Sequence, residues 1–173
     1  MKDQWEPSIV QSSLGASYRV NNFLSLFINS AAGQIKPING SLNTELSEPL
    51  NETRYKADIG IMRTFGKSGK IVITAFGVLQ KNAITLSGDT YLDTITGIRR
   101  ELYINRDQNQ SGLELEIITP KLFGFMEPFL NFTLMRSLMK EAGDMISNDE
   151  NPVIIASGGF YMTKNSFDIN LFL

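Results

Sequence analysis

The 173-residue chain contains no cysteine and no histidine. Without cysteine there are no disulfides, thiol nucleophiles or thiolate metal ligands. Without histidine there is no Ser-His or Cys-His pair, and the commonest transition-metal ligand is missing. Apolar runs are short, and none reaches the roughly 18 residues of a membrane-crossing helix. Charge of one sign is also scarce: the net charge is -2, which gives no basic surface for nucleic acid. The opening residues, Met1 to Pro7, are polar and do not form a secretory signal. These absences leave a chain of ordinary composition, 42% hydrophobic and 20% charged, whose information lies in patterning.

The dominant period is two, which is the period of a strand. Leu14, Ala16, Tyr18 and Val20 alternate with Ser13, Gly15, Ser17 and Arg19. Leu24, Leu26 and Ile28 alternate with Ser25, Phe27 and Asn29. The device recurs in Tyr55–Ile61, in Leu113–Ile117, in Leu130–Leu134 and in the segment from Phe167 to Leu173. The pattern predicts strands near 8–20, 23–34, 53–65, 70–86, 99–119, 125–138, 152–163 and 167–173. In 70–86 the polar face is blurred by Val72, Phe76 and Val78. The pair Gly158-Gly159 leaves the facing of 152–163 open.

The connections alternate in this reading. Asn21-Asn22, Gly66-Lys67-Ser68-Gly69, Pro120 to Gly124 and Lys164-Asn165-Ser166 are short, whereas 35–52, 87–98 and 139–151 are long. In an up-and-down meander, alternate connections lie at opposite ends of the strands. One rim then carries turns and the other carries loops, which is the asymmetry of an outer-membrane barrel. Most runs also reach the roughly 9–11 residues that a tilted strand needs to cross hydrocarbon. The expected fold is all-β: an antiparallel up-and-down meander of about eight strands, an open curved sheet belonging to a large transmembrane β-barrel. A barrel needs export, so the expected domain, 1–173, is partial, with plug and remaining strands lying elsewhere. Both ends read as cut, Phe167 to Leu173 while still alternating.

Several of these residues resemble a known family, the TonB-dependent outer-membrane receptors. Glu52, Asp58 and Gly60 fall on its spacing of an acidic residue, a second acidic residue six positions on and a glycine two further. Tyr103-Ile104-Asn105, followed by Gly112-Leu113-Glu114-Leu115-Glu116, is similar to its asparagine strand running into a Gly-hydrophobic-Glu-hydrophobic-Glu segment. The hairpin Leu14–Tyr18 and Leu24–Phe27, and Pro152 opening a Gly-rich strand, fit the same order. The resemblance covers nearly the whole chain and implies the C-terminal half of a barrel of about 22 strands around an N-terminal plug. It departs from the family in having no candidate plug, no energy-coupling box and no terminal aromatic. It implies localisation in the bacterial outer membrane and uptake of a scarce ligand such as a ferric siderophore, haem or cobalamin. Its implied partners are outer-membrane lipid and lipopolysaccharide, the missing plug and an inner-membrane energy-coupling protein. No cofactor, resident metal, enzyme activity or nucleic-acid partner is expected. Two other functions stay open: a self-contained eight-stranded structural or adhesive barrel, in which 8–20 would pair with 167–173, and a soluble lipocalin-like barrel.

The site candidates are Tyr91, Arg99 and Arg100, in and at the end of the second long loop. Two arginines at an extracellular mouth would attract an anionic chelate; the plainer reading, which is preferred, is solvated rim charge or a lipopolysaccharide contact. Tyr91 is either a ligand contact or a loop anchor. Asp107, Asn109 and Ser111-Gly112 imitate the start of a calcium loop, but Ile118 stands where a bidentate glutamate is required. Glu114 and Glu116 share a face like paired glycosidase carboxylates, although alternation with leucine explains them more simply. Tyr18, Phe65, Phe123, Phe125 and Phe160 lie near strand ends, as aromatic girdles do. The sequons at Asn39, Asn51 and Asn131 carry no weight in a bacterial protein.

Overall fold

A computed structural model describes residues 10–149, 151–164 and 167–172. No helix occurs among them. The strands are β1 (Gln11–Asn21), β2 (Leu24–Ile35), β3 (Leu42–Asn43), β4 (Glu52–Phe65), β5 (Gly69–Asp93), β6 (Ile98–Ile118), β7 (Met126–Glu141), β8 (Asp144–Ser147), β9 (Ile154–Lys164) and β10 (Phe167–Phe172). They form one sheet in the order β1-β2-β4-β5-β6-β7-β9-β10. β3 joins β6 in parallel and β8 adds to β7; all other pairs are antiparallel. The eight long strands are thus in the expected meander. Among the described residues β1 pairs only with β2 and β10 only with β9, so the sheet is open.

Residues directly opposite one another share a face, and the register therefore sorts the two surfaces. One row runs Ala16, Ile28, Ile59, Ala75, Leu113, Leu134 and Ile154. The next row on that face runs Tyr18, Leu26, Ile61, Ile73, Leu115, Phe132 and Ala156. Between them, on the opposite face, lie Ser17, Phe27, Gly60, Thr74, Glu114, Thr133 and Ile155. The apolar rows are open to solvent: Tyr18 is 69% exposed, Ile59 59%, Ile28 54% and Leu113 52%. The buried hydrophobic residues among those described are Ala83 and Leu102 alone, both beyond the main sheet. The sheet therefore has no dry interior of its own.

The apolar band slants across the register. Tyr55 and Leu79 are opposite each other on β4 and β5, but the next residue in that row is Asn109 on β6. At the other end, Arg63 already interrupts the band on β4, whereas β7 stays apolar from Leu130 through Pro128 to Met126, opposite Phe160 and Met162. A band that descends from strand to strand belongs to strands tilted against it, as in a barrel wall.

On the opposite face, phenylalanines lie over glycines of the neighbouring strand. Phe27 opposes Gly60, Phe76 opposes Gly112 and Phe129 opposes Gly159. A Cβ at Gly60 would lie 2.7 Å from Phe27 Cε1, and one at Gly112 would lie 2.9 Å from the Phe76 ring. The second of these pairs accounts for Phe76 in the blurred alternation on β5, because its ring covers a glycine. The three pairs also pin the register, because a slip would put each ring onto a side chain.

Two expectations about the long rim are corrected. Residues 87–98 are not a loop: β5 continues to Asp93 and β6 begins at Ile98. Likewise 139–151 is mostly hairpin, with β7 reaching Glu141, β8 returning from Asp144, and only Ala142-Gly143 between them. Both turn residues have positive φ, 51° and 101°, as a two-residue hairpin turn requires. The connection 119–125 at the other rim is longer than either tip, and carries a bridge between Leu122 and Met126. These two tips are therefore no longer than the longest turn of the other rim, and the connection 36–51 is the one that stays long. Strand extension distinguishes the rims, because β5 and β6 run far beyond their neighbours on one side only. The polar run Ser87-Gly88-Asp89 looks like a turn but sits in a bulge where β5 carries extra residues, between Leu86 and Thr90.

Candidate functional site

The long rim carries a lobe made of the β5–β6 extension and the connection 36–51. Pairing of β5 to β4 ends at Lys81, and pairing of β6 to β7 ends at Gln108. Beyond these points the hairpin stands clear of the main sheet by roughly 30 Å. An isolated two-stranded ribbon is marginal in water, and here the connection 36–51 braces it. β3 lays Leu42 and Asn43 beside Leu102 and Tyr103. Asn43 shapes the segment after it, its Oδ1 accepting from the Glu45 amide at 2.9 Å and the Ser47 amide at 3.0 Å.

Asn105 fastens the connection to the ribbon. Its Oδ1 accepts from the Leu50 amide at 2.8 Å, and its Nδ2 donates to the Leu50 carbonyl at 3.1 Å and to the Asn82 carbonyl at 2.8 Å. Asn82 stands in a bulge with φ 54°, and its amide donates to Asp107 Oδ1 at 3.1 Å. The calcium-like residue Asp107 is thereby an anchor of the bulge, in mid-strand. At the foot of the lobe, the Glu52 carboxylate is buried and accepts from Arg54 Nη2 at 2.7 Å, Arg54 Nε at 3.0 Å and Gln80 Nε2 at 3.0 Å. Glu52 and Asn105, noticed in the sequence for their spacing, thus hold the two ends of one substructure.

The three site candidates do not converge. Tyr91 and Arg100 are directly opposite each other and share a face of the ribbon, whereas Arg99 pairs with Leu92 on the other face. Arg100 is engaged: its Nε lies 3.1 Å from Asp93 Oδ2. Asp93 also closes the tip, accepting from the Ile95 amide at 3.0 Å and the Thr96 amide at 3.3 Å. The hydrogen bond from the Thr96 side chain, those amides and the Arg100 charge together hold its carboxyl below the usual 3.8. Arg100 is therefore neutralised by Asp93, and Arg99 is the cation of the tip without an ion pair among the described residues. Sequence reading missed the apolar side chains of the lobe: Leu92, Ile95 and Ile98 at the tip, and Ile38, Leu46 and Leu50 below, all exposed. The Asp93–Gly97 turn signal, with Asp at its start and Gly at its end, would have placed the tip correctly.

On the polar face Asp58 accepts from Asn29 Nδ2 at 2.6 Å and lies 3.7 Å from Lys56 Nζ. Glu116 pairs with Lys70 at 3.0 Å, so only Glu114 of the two glutamates lacks an ion pair among the described residues. Among these residues no group of three or more carboxylates is placed to hold a metal, and no helix is long and apolar enough to cross a membrane, which does not bear on crossing by strands. No protein-family model matches the chain and no curated protein matches it.

Proposed function

We propose that the chain is wall of an outer-membrane β-barrel of the TonB-dependent receptor type, taking part in uptake of a scarce ligand such as a metal chelate or a vitamin-like compound. The carrying observation is the continuous, slanted band of exposed apolar side chains on one face, opposite a face with Asp58, Glu114, Glu116 and Lys56. Each half-exposed leucine or isoleucine costs on the order of 1 kcal/mol in water, so two such rows favour lipid as their surroundings. Patches of this extent mark interfaces. The edges of β1 and β10, which have no second partner among the described residues, favour a larger sheet, since backbone groups in lipid must all be paired.

The receptor reading rests on the family-like residues and on what they do. Glu52 and Asn105 support a lobe on the rim away from the tight turns, where ligand from outside would first meet the protein. Gly60 and Gly112, from the same motifs, let Phe27 and Phe76 lie flat on the polar face. The lobe presents Tyr91, Arg99 and exposed aliphatic side chains, a mixture suited to an amphiphilic chelate rather than a small ion.

The test is expression in a Gram-negative host followed by separation of membranes by density. The protein is expected in the outer-membrane fraction, with the Lys81–Glu101 hairpin cut by protease added to whole cells. Ligand uptake should be lost in a host lacking the energy-coupling protein. Recovery as a water-soluble monomer with a cooperative melt would overturn the reading.

A further inference from the structure

The connection 36–51 contains the chain's one Asn-Gly step, Asn39-Gly40. The step is the centre of a turn, closed by the Ser41 amide donating to the Ile38 carbonyl at 2.9 Å. Gly40 has φ 83°, whereas Asn39 keeps a negative φ, which is the pattern of a type II turn. Both residues are exposed, and nothing stands within 4 Å of the position a Gly40 Cβ would take. Every other asparagine in the chain is followed by a residue with a Cβ.

The turn is held at both ends. Pro37 is buried before it, and after it Leu42 and Asn43 pair with Leu102 and Tyr103. An exposed turn with one closing bond opens locally at little cost. Once it opens, the backbone turns freely at Gly40, and no Cβ there shields its nitrogen from the Asn39 side chain.

We infer that Asn39-Gly40 is a self-modification site, at which the brace of the lobe converts with time from asparagine to aspartate and isoaspartate. The Gly40 nitrogen gives up its proton to water and attacks Asn39 Cγ. A new C–N bond forms, and the side-chain amide leaves as ammonia. Water then opens the five-membered imide at one of its two carbonyls. One water is consumed for each ammonia released, and no other reactant is needed. In the isoaspartyl product the main chain runs through the former side chain, which adds one backbone carbon and leaves a carboxylate beside it. The bond from Ser41 to Ile38 no longer closes a turn of four residues. β3 is only two residues long and is the pairing next to the change, so it loosens. The hold of Asn105 on Leu50 lies farther along the connection and stays.

The test ages the full chain, refolded in neutral detergent, at mildly alkaline pH beside a portion unfolded in urea. Peptide mapping should find the amide-to-acid mass change at Asn39 ahead of every other asparagine. The aged protein should accept methyl groups from an isoaspartyl methyltransferase. Asn39→Gln should lose that acceptance, and Gly40→Ala should slow it several-fold. Amide exchange should quicken at Leu42 and Asn43 in the aged protein and stay unchanged at Leu50. An intact Asn39 when the unfolded portion has fully converted, earlier conversion of another asparagine, or equal methyl acceptance by Asn39→Gln would overturn the site. Unchanged exchange at Leu42 in converted protein would overturn its effect on the brace.

Discussion

Replacing Gly60 by alanine tests whether the phenylalanine–glycine pairs hold the register. A Cβ at this position would meet Phe27 Cζ at clashing distance, and would lie 2.7 Å from Phe27 Cε1 and from the Ile73 carbonyl oxygen. The ring must swing off the wall and β4 must shift against β5. Overpacking of this kind costs about 1–3 kcal/mol, offset by roughly 0.5–1 kcal/mol from the lower backbone entropy of the unfolded chain. Gly60→Ala should therefore destabilise by about 1–2 kcal/mol. Gly77 supplies the control, because a Cβ there would meet nothing within 4 Å; Gly77→Ala should be neutral or stabilising by a few tenths of a kcal/mol. Phe27→Ala in the Gly60→Ala background relieves the ring contact but not the carbonyl contact, so the pair should couple by about 1 kcal/mol. The assay is reversible denaturant unfolding in micelles, followed by far-ultraviolet circular dichroism. Equal stabilities for the two alanine variants, or strict additivity with Phe27→Ala, would refute the role assigned to these pairs.

Three further outcomes follow from the lobe. Asn105→Ala removes three hydrogen bonds and should free the connection 36–51, raising hydrogen exchange at Leu50 and proteolysis of that segment while the main sheet stays protected. Glu52→Ala removes the acceptor of three bonds at the foot of the lobe; because Arg54 is half exposed, the loss in stability should be about 1–3 kcal/mol, measured by the same unfolding assay. Asp93 has a folded pKa lowered from the usual 3.8, so its contribution is present above that value and is lost as pH falls through the lowered one. Amide exchange at Gly97, which donates to the Asp93 carbonyl at 2.7 Å, should accelerate locally below about pH 3.8, and in Asp93→Ala that acid step should vanish.

The main sheet was legible in the sequence because apolar and polar side chains largely alternate where strands have neighbours on both sides. Tyr55–Ile61 and Leu113–Ile117 could be assigned from period two alone, and their facing follows from the register. The lobe was less legible for a definite reason. Bulges between Gln80 and Ala83 and between Leu86 and Thr90 shift the period, so Ser87-Gly88-Asp89 imitates a turn within a strand. Arg100 was visible as a charge, but its partner Asp93 is set by the tip turn. The hold of Asn105 on Leu50 joins residues 55 positions apart and depends on how the connection 36–51 folds back.

The most direct test is of sidedness, and the absence of native cysteine makes it clean. Single cysteines at Ile59 and Leu113 on one face, and at Asp58 and Glu114 on the other, would carry nitroxide labels in lipid vesicles. Labels at Ile59 and Leu113 should collide with dissolved oxygen and be hidden from a water-soluble nickel chelate, and those at Asp58 and Glu114 should show the reverse. Equal access to the chelate at all four positions, or the opposite alternation, would contradict a wall whose apolar face meets lipid.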